Sequence, residues 1–109
     1  MNRAIYSVTL LLCCGVANAA GWTSELTVTG AATEGTSDLL IFGTSDGAGY
    51  TTGCLINSWI FTASTDARRG RAYGTLLAAL ASGQKVRLWY TDTCAQFSYH
   101  EATSVMLVK

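Results

Sequence analysis

Proline is absent from this 109-residue sequence, histidine occurs once, and only 13% of the residues are charged. The lack of proline leaves the turns to eleven glycines. The scarcity of histidine and charge removes most of the groups that hold metals or transfer protons. We find no metal-ligand spacing, no outstanding pair of carboxylates and no phosphate-binding loop. We therefore predict no enzyme activity, no cofactor and no metal site.

The first nineteen residues have the pattern of a secretory signal peptide. Arg3 supplies a positive charge, residues 4–16 form an almost uninterrupted apolar run, and Ala17-Asn18-Ala19 provides small residues before a cleavage point. The run is too short to span a bilayer. We expect residues 1–19 to be a signal peptide and residues 20–109 to be a single domain, secreted or periplasmic.

Loss of this segment would change the charge balance and the cysteine count. Without Arg3, six basic residues would face seven acidic ones. A net charge of about −1 gives no general attraction for nucleic acid or anionic membrane. We therefore expect no nucleic-acid partner and no membrane span after signal cleavage.

Of the four cysteines, only Cys54 and Cys94 would remain in the exported chain. Two cysteines in an exported protein most simply form one disulfide. A metal pair or a redox pair would need further ligands or a Cys-x-x-Cys spacing, and the sequence has neither. We predict a structural disulfide that stabilises the fold by about 4 kcal/mol.

A helix is predicted from residue 66 onward, and the rest of the domain is organised around it. Thr65 or Asp66 can cap its N-terminus, and Gly83 suits the left-handed residue just past its end. The predicted apolar stripe, at the helical period, consists of Tyr73, Leu76, Leu77 and Leu80.

The remaining segments have the alternating pattern of short strands. We predict strands at residues 22–29, 38–44, 54–62 (with a bend near Asn57), 85–90 and 97–109. In the first strand Trp22, Ser24, Leu26 and Val28 should share one face. Residues 30–37, 45–53 and 91–96 are predicted loops. The fold class is mainly β with one helix, in the order β-β-β-α-β-β of a five-stranded OB-fold barrel.

Several short motifs resemble those of small exported bacterial OB-fold proteins. They are Gly53-Cys54, Ser58-Trp59, Tyr73-x-x-Leu76-Leu77-x-x-Leu80-Ala81-Ser82-Gly83-Gln84-Lys85-Val86-Arg87-Leu88 and Cys94. The best-known relatives of that group are the B subunits of subtilase-cytotoxin and typhoid-toxin type, the pertussis-like toxins. In those subunits, too, a helix ends in a Ser/Thr-Gly-Gln run that leads into a Val-Arg-hydrophobic strand.

This resemblance implies an exported, non-enzymatic binding module, which in the toxin members binds glycans and forms rings. We therefore expect a carbohydrate-binding function, with a glycan or a protein as partner and a homo-oligomeric ring as an open alternative. The competing hypothesis is a structural or interaction subunit, or an inhibitor, without a small-molecule site. A single-stranded nucleic-acid binder is compatible with the fold but opposed by charge and export.

Ligands of OB-folds usually bind on the second and third strands, between two flanking loops. Here those loops are residues 30–37 and 91–96, and a disulfide at Cys94 would hold the second one rigid. A sugar also needs an aromatic plane, for which Tyr50 is the nearest candidate. The predicted ligand-binding residues are Tyr50, Thr51, Asp92, Thr93 and Gln96.

Two further groups are candidate interfaces. Trp89 should be the most exposed of the tryptophans and tyrosines, because it shares a face of its strand with Lys85 and Arg87, while Val86, Leu88 and Tyr90 point to the other face. Trp59, by contrast, lies among apolar neighbours and should be core. The candidate interface residues are Trp89, Lys85 and Arg87 on the strand, and Arg68, Arg69 and Arg71 in the first turns of the helix.

His100 lies beside Glu101 on the last predicted strand. Adjacent strand residues point to opposite faces, so this pair does not form a catalytic dyad. We predict a solvent-facing or edge-strand histidine.

Overall fold

A computed structural model of the chain describes residues 20–34 and 38–109. The predicted signal peptide lies outside the described residues, as do residues 35–37 of the first predicted loop. Among the described residues, no helix has both the length and the apolar character needed to cross a membrane. The elements are β1 (Gly21–Trp22), β2 (Thr27–Glu34), β3 (Leu39–Ser45), β4 (Leu55–Phe61), α1 (Asp66–Ser82), β5 (Lys85–Cys94), a 3-10 turn (Gln96–Ser98) and β6 (Tyr99–Val108).

All six strands belong to one sheet in the order β1-β5-β6-β4-β3-β2. Neighbouring strands are antiparallel except β4 and β6, which are parallel. The prediction of a mainly β fold with one helix is therefore confirmed. The pairing leaves the sheet open, because β1 and β2 form its two edges.

The two edge strands follow each other directly in the chain. Leu26 lies between them and forms an isolated antiparallel bridge with Val86 of β5. Each backbone N–H of this pair donates to the carbonyl oxygen of the other, at 2.8 Å. We call residues 21–34 the N-terminal segment. Its first half contacts β5, and its second half contacts β3.

The predicted first strand is two strands with a break between them. Leu26 and Val28 are buried as predicted, but Trp22 and Ser24 are exposed and Thr23 is buried instead. Thr23 satisfies both backbone groups of Leu88: its N–H donates to the Leu88 carbonyl at 2.8 Å, and its hydroxyl oxygen accepts from the Leu88 N–H at 3.0 Å. These two hydrogen bonds to β5 turn Thr23 inward and break the alternation of buried and exposed residues.

The predicted turn at residues 30–37 is wrong in its first half, since β2 continues through Glu34. Gly30 follows a register shift between β2 and β3, where the strand accommodates an irregularity and then resumes pairing. The small residues that suggested a turn are therefore part of an edge strand.

β6 and β4 are the two central strands of the sheet, and β3 lies between β4 and the edge strand β2. In β3, Leu40, Phe42 and Thr44 are buried and the residues between them are half-buried, as expected of a strand that has a neighbour on each side. The predicted bend in β4 is also confirmed: Asn57 has a φ of 69°, and the register with β6 shifts between Leu55 and Trp59. The Asn57 side chain accepts a hydrogen bond from the Gly47 N–H at 3.1 Å. The bend therefore holds the loop between β3 and β4, residues 46–54, which we call the glycine-rich loop.

The helix begins and ends where the sequence predicts. The Thr65 hydroxyl accepts from the Arg68 N–H at 3.1 Å, and Gly83 has a φ of 75° with its N–H bonded to the Ala79 carbonyl. These are the N-terminal cap and the left-handed C-terminal residue.

The predicted apolar stripe of the helix is wrong in part. Leu76 is buried and Tyr73 packs against the core, but Leu77 and Leu80 are each 41% exposed. Ala72 and Ala79 are buried instead. Their small side chains allow the helix to lie close to β2 and β6. Because the alanine face of the helix points to the sheet, Leu77 and Leu80 point away from it.

β5 is longer than predicted, because the predicted loop at residues 91–96 is strand as far as Cys94. The β-branched residues Thr91 and Thr93 favour this extension, and Cys94 pairs with His100 of β6. The prediction that Val86 and Leu88 face the core is confirmed. Trp59 is also confirmed as core, and its ring N–H donates to the Thr44 hydroxyl at 3.1 Å.

The predicted disulfide between Cys54 and Cys94 is confirmed. It joins the residue before β4 to the last residue of β5, although β6 lies between these strands in the sheet. Two strands separated by a third are about 9.5 Å apart in a flat sheet, whereas the Cα atoms of the cysteines are 5.5 Å apart. β4 and β5 therefore converge over the start of β6.

We expect Cys54→Ser and Cys94→Ser each to lower the free energy of unfolding by about 4 kcal/mol, because the bridge constrains a long loop of the unfolded chain. The double variant should be no less stable than either single variant, since the two cysteines share one bond. Urea unfolding of the oxidised proteins measures this. Additive losses would contradict a single shared bond.

Candidate functional site

His100 is fully buried, with 0% of its surface exposed, so the prediction of a solvent-facing histidine is wrong. Its ring lies over Trp59, with ring centroids 4.8 Å apart, and its edge faces Tyr50 at 6.3 Å. The reason is the alternation of β6, which turns His100 and Ala102 inward together. Glu101 is half-buried between them and bonds instead to the hydroxyls of Thr62 and Thr91.

Both ring nitrogens of His100 have backbone partners. The Thr51 N–H donates to Nε2 at 3.3 Å, so Nε2 is an acceptor and the proton lies on Nδ1. Nδ1 then donates to the Leu55 carbonyl at 2.8 Å. Burial lowers the pKa of His100, and hydrogen bonding to the backbone of Leu55 and Ser58 opposes this effect. The imidazole is therefore a neutral core group that ties together a loop, β4 and β6.

Tyr50 and Thr51, two of the predicted ligand-binding residues, are turned toward the interior. Thr51 is buried, and its hydroxyl donates to the Thr91 carbonyl at 2.8 Å. Tyr50 is half-buried against the ring of Tyr90 at 5.1 Å, and its hydroxyl bonds to the Ser24 hydroxyl at 2.8 Å. These two residues anchor the glycine-rich loop to the core.

Asp92, Thr93 and Gln96, the other three predicted ligand-binding residues, are exposed. They lie at the end of β5 and in the turn that follows, beside the disulfide. The Thr91 hydroxyl donates its one proton to the Glu101 carboxylate at 2.8 Å, and its oxygen accepts from the Thr93 N–H at 3.4 Å. The backbone at Thr93 is thus tied to β6 through Thr91, while the three side chains remain exposed.

The same end of the molecule carries three exposed apolar side chains that sequence reasoning missed. Phe97 is 61% exposed, and Leu55 and Ile56 are 51% and 55% exposed. Leu55 pairs with Tyr99, whose ring lies 5.6 Å from that of Phe97. We call this surface the cystine end, and define it as Leu55, Ile56, Asp92, Thr93, Gln96 and Phe97.

The backbone of Phe97 is in the left-handed region, with φ 61° and ψ 18°, and Ser98 also has a φ of 61°. Left-handed backbone is uncommon for a bulky residue and costs of order 1–3 kcal/mol. The sequence offers one sign of this exposed turn, an aromatic residue flanked by the polar Gln96 and Ser98 shortly after Cys94. We did not predict the turn, because we assigned Phe97 to the strand at residues 97–109. A strained turn that displays an aromatic ring is typical of binding sites.

The predicted interface residues on β5 are occupied within the chain. The prediction that Trp89 is the most exposed of the tryptophans and tyrosines is wrong, because Trp89 is half-buried whereas Trp22 is 38% exposed. The two rings lie 5.5 Å apart in an edge-to-face arrangement, so each covers part of the other. Arg87 donates to the Thr23 carbonyl at 2.9 Å, and Lys85 donates to the Thr27 hydroxyl at 2.9 Å. This face of β5 therefore holds the N-terminal segment in place.

The three arginines of the helix are divided between two environments. Arg69 forms ion pairs with Asp38 at 2.7 Å and with Asp66 at 2.9 Å. Arg68 donates from its guanidinium to the Thr103 carbonyl at 2.9 Å, and together with Arg71 it lines a groove between α1 and β6. The sequence cluster is therefore one paired arginine and two that face a common groove.

Over residues 20–34 and 38–109, no three His, Cys, Asp or Glu side chains lie together in a way that could hold a metal ion. Within residues 92–97 the cystine end exposes a carboxylate, a hydroxyl, an amide and an aromatic ring. Such a set can form hydrogen bonds and stacking contacts with a ligand.

The chain matches no family model and no curated protein sequence. The likeness to toxin B subunits therefore depends on the motifs between Gly53 and Cys94 alone.

We expect the free energy of unfolding to be constant above pH 7 and to fall as the pH drops below about 6.5, the ordinary pKa of histidine. The unfolded chain then binds a proton that folded His100, with its lowered pKa, does not. The loss should continue until the pH passes the folded pKa, where it levels off.

Urea unfolding between pH 5 and 8 measures this profile, and His100→Gln is the control, because glutamine does not titrate. His100 is the only histidine in the chain. A wild-type profile as flat as that of the variant would contradict the burial of a neutral imidazole.

Proposed function

We propose that this protein is an exported, non-enzymatic binding module with an OB-type barrel, and that it recognises a glycan through the cystine end. The observation that carries the proposal is the exposed Phe97 ring, displayed by a strained turn three residues after the disulfide-bonded Cys94, in a stretch that also exposes Asp92, Thr93 and Gln96.

The strand connections support the barrel. If β1 and β2 count as one interrupted strand, the chain order is β-β-β-α-β-β, with the helix before β5. The Leu26–Val86 bridge joins the segment between the two sheet edges to β5, and the convergence at Cys54 and Cys94 bends the sheet further. Both features favour a strongly coiled, barrel-like sheet.

The chemistry of the cystine end suits a sugar. The apolar face of a sugar ring stacks on an aromatic plane, which Phe97 supplies. Asp92 accepts hydrogen bonds from sugar hydroxyls, and the Gln96 amide both donates and accepts. Because the disulfide and the Thr91 bonds restrain this backbone already, little entropy is lost on binding.

The arrangement of His100 supports a binding role over an enzymatic one. Both of its ring nitrogens are bonded to backbone in the folded core, so neither is available to a substrate. The resemblance to glycan-binding toxin B subunits points in the same direction.

A second candidate function is that of an interaction subunit without a small-molecule site. The observation in its favour is the exposed apolar group Leu55, Ile56 and Phe97, because exposed apolar clusters with an aromatic residue also mark protein interfaces. This alternative uses the same surface with a different partner.

We expect Phe97→Gly and Asp92→Ala each to weaken glycan binding at least tenfold, since each removes a stacking or hydrogen-bonding group worth more than about 1.4 kcal/mol. Phe97→Gly should leave the free energy of unfolding within about 1 kcal/mol of the wild type, because relief of the left-handed strain offsets the lost ring contact. A glycan array with the oxidised protein finds the ligand, and calorimetry measures the variants.

Leu80→Ala is the matched control, since Leu80 is an exposed apolar residue on the helix. Full-strength binding by both cystine-end variants would place the site elsewhere. A protein ligand that depends on Phe97, with no glycan bound, would establish the second candidate instead.

A further inference from the structure

We propose that the groove between α1 and β6 is a second binding site, which receives an acidic side chain presented by a partner protein. We call it the arginine groove and define it by Phe61, Arg68, Arg71, Thr75, Ser104 and Val105, which line it. Its volume is about 280 Å³. The site is separate from the cystine end and does not depend on the function proposed there.

Arg68 and Arg71 are the two charged residues that line the groove. Arg68 spends one donor on the Thr103 carbonyl, which fixes its position, and a guanidinium has five donors in all. Arg71 lies three residues later, on the same face of the helix. Two arginines side by side match the paired oxygens of a carboxylate.

The hydroxyl groups favour the same ligand class. The Thr75 hydroxyl donates its only proton to the Arg71 carbonyl at 3.1 Å. It therefore has no proton left to donate to a ligand. The other side-chain donors in the lining belong to Arg68, Arg71 and Ser104. A ligand group that only accepts hydrogen bonds fits this set best.

The charge of the groove is not neutralised by its own lining, which contains no acidic residue. The nearby carboxylates of Asp38 and Asp66 are engaged by Arg69. Arg68 and Arg71 also lie in the first half of the helix, where positive charge opposes the helix dipole. An incoming carboxylate would relieve both unfavourable effects.

The size and floor of the groove favour a side chain over a larger ligand. The groove, at about 280 Å³, lies at the lower end of the volumes of small-molecule pockets, which begin at about 300 Å³. Phe61 and Val105 form an apolar floor, on which the methylene groups of a glutamate and an adjacent apolar residue can pack. We therefore assign the groove to an acidic peptide segment with an apolar neighbour.

The test is an NMR titration of the intact oxidised protein with the capped tripeptide Glu-Leu-Glu. We expect shifts at the Arg68 and Arg71 side-chain N–H groups and at the backbone N–H groups of Thr75 and Ser104. Arg71→Gln should weaken binding at least tenfold. Arg71 is exposed, so this variant should keep the wild-type melting temperature.

Arg69→Gln is the matched control, because it removes a neighbouring arginine that does not line the groove, and it should bind the tripeptide as the wild type does. Equal binding of the capped tripeptide Gln-Leu-Gln would overturn the proposal, since it would show that charge is not recognised. So would tighter binding of inorganic phosphate than of Glu-Leu-Glu, which would make the groove a phosphate site. Loss of binding in Arg69→Gln but not in Arg71→Gln would also overturn it.

Discussion

The rest of the structure depends on the buried imidazole of His100. It stacks on Trp59, accepts from the Thr51 N–H and donates to the Leu55 carbonyl. Through these contacts one side chain joins the glycine-rich loop, the start of β4 and the start of β6. A burial site that is apolar on one side and lined by backbone on the other accepts imidazole only as a neutral ring, which explains why burial lowers its pKa.

The disulfide acts at the same end of the molecule. Cys94 pairs with His100 across the sheet, and Cys54 directly precedes Leu55, whose carbonyl the imidazole binds. Covalent and hydrogen-bonded restraints therefore support one stretch of surface, and that surface carries the strained Phe97 turn. We propose that the restraints serve binding at the cystine end, while the arginine groove on the helix side offers a partner a contact of opposite charge.

The sequence correctly predicts those features that depend on residues close to each other in the chain or on a single pairing. The helix caps at Thr65 and Gly83, the cystine and the inward face of β5 each depend on neighbouring residues or on a single pairing. Features set by tertiary packing were not predictable in this way. Thr23 turns inward because β5 offers it two hydrogen bonds, and Leu77 turns outward because two alanines pack closer to the sheet. His100 is buried and not solvent-facing as predicted, since alternation along β6 starts only after the left-handed turn.

The protonation state of the His100 ring tests most directly whether the imidazole is anchored to Thr51 and Leu55 in the core. Long-range proton–nitrogen correlation spectra of the oxidised protein report which ring nitrogen carries the proton and at what pH the ring titrates. We expect the Nδ1–H form at pH 7, with Nε2 as acceptor, and a titration midpoint below the ordinary value of about 6.5. A ring protonated on Nε2, or one that titrates at its ordinary pKa, would contradict the anchoring of the loop and β4 by His100.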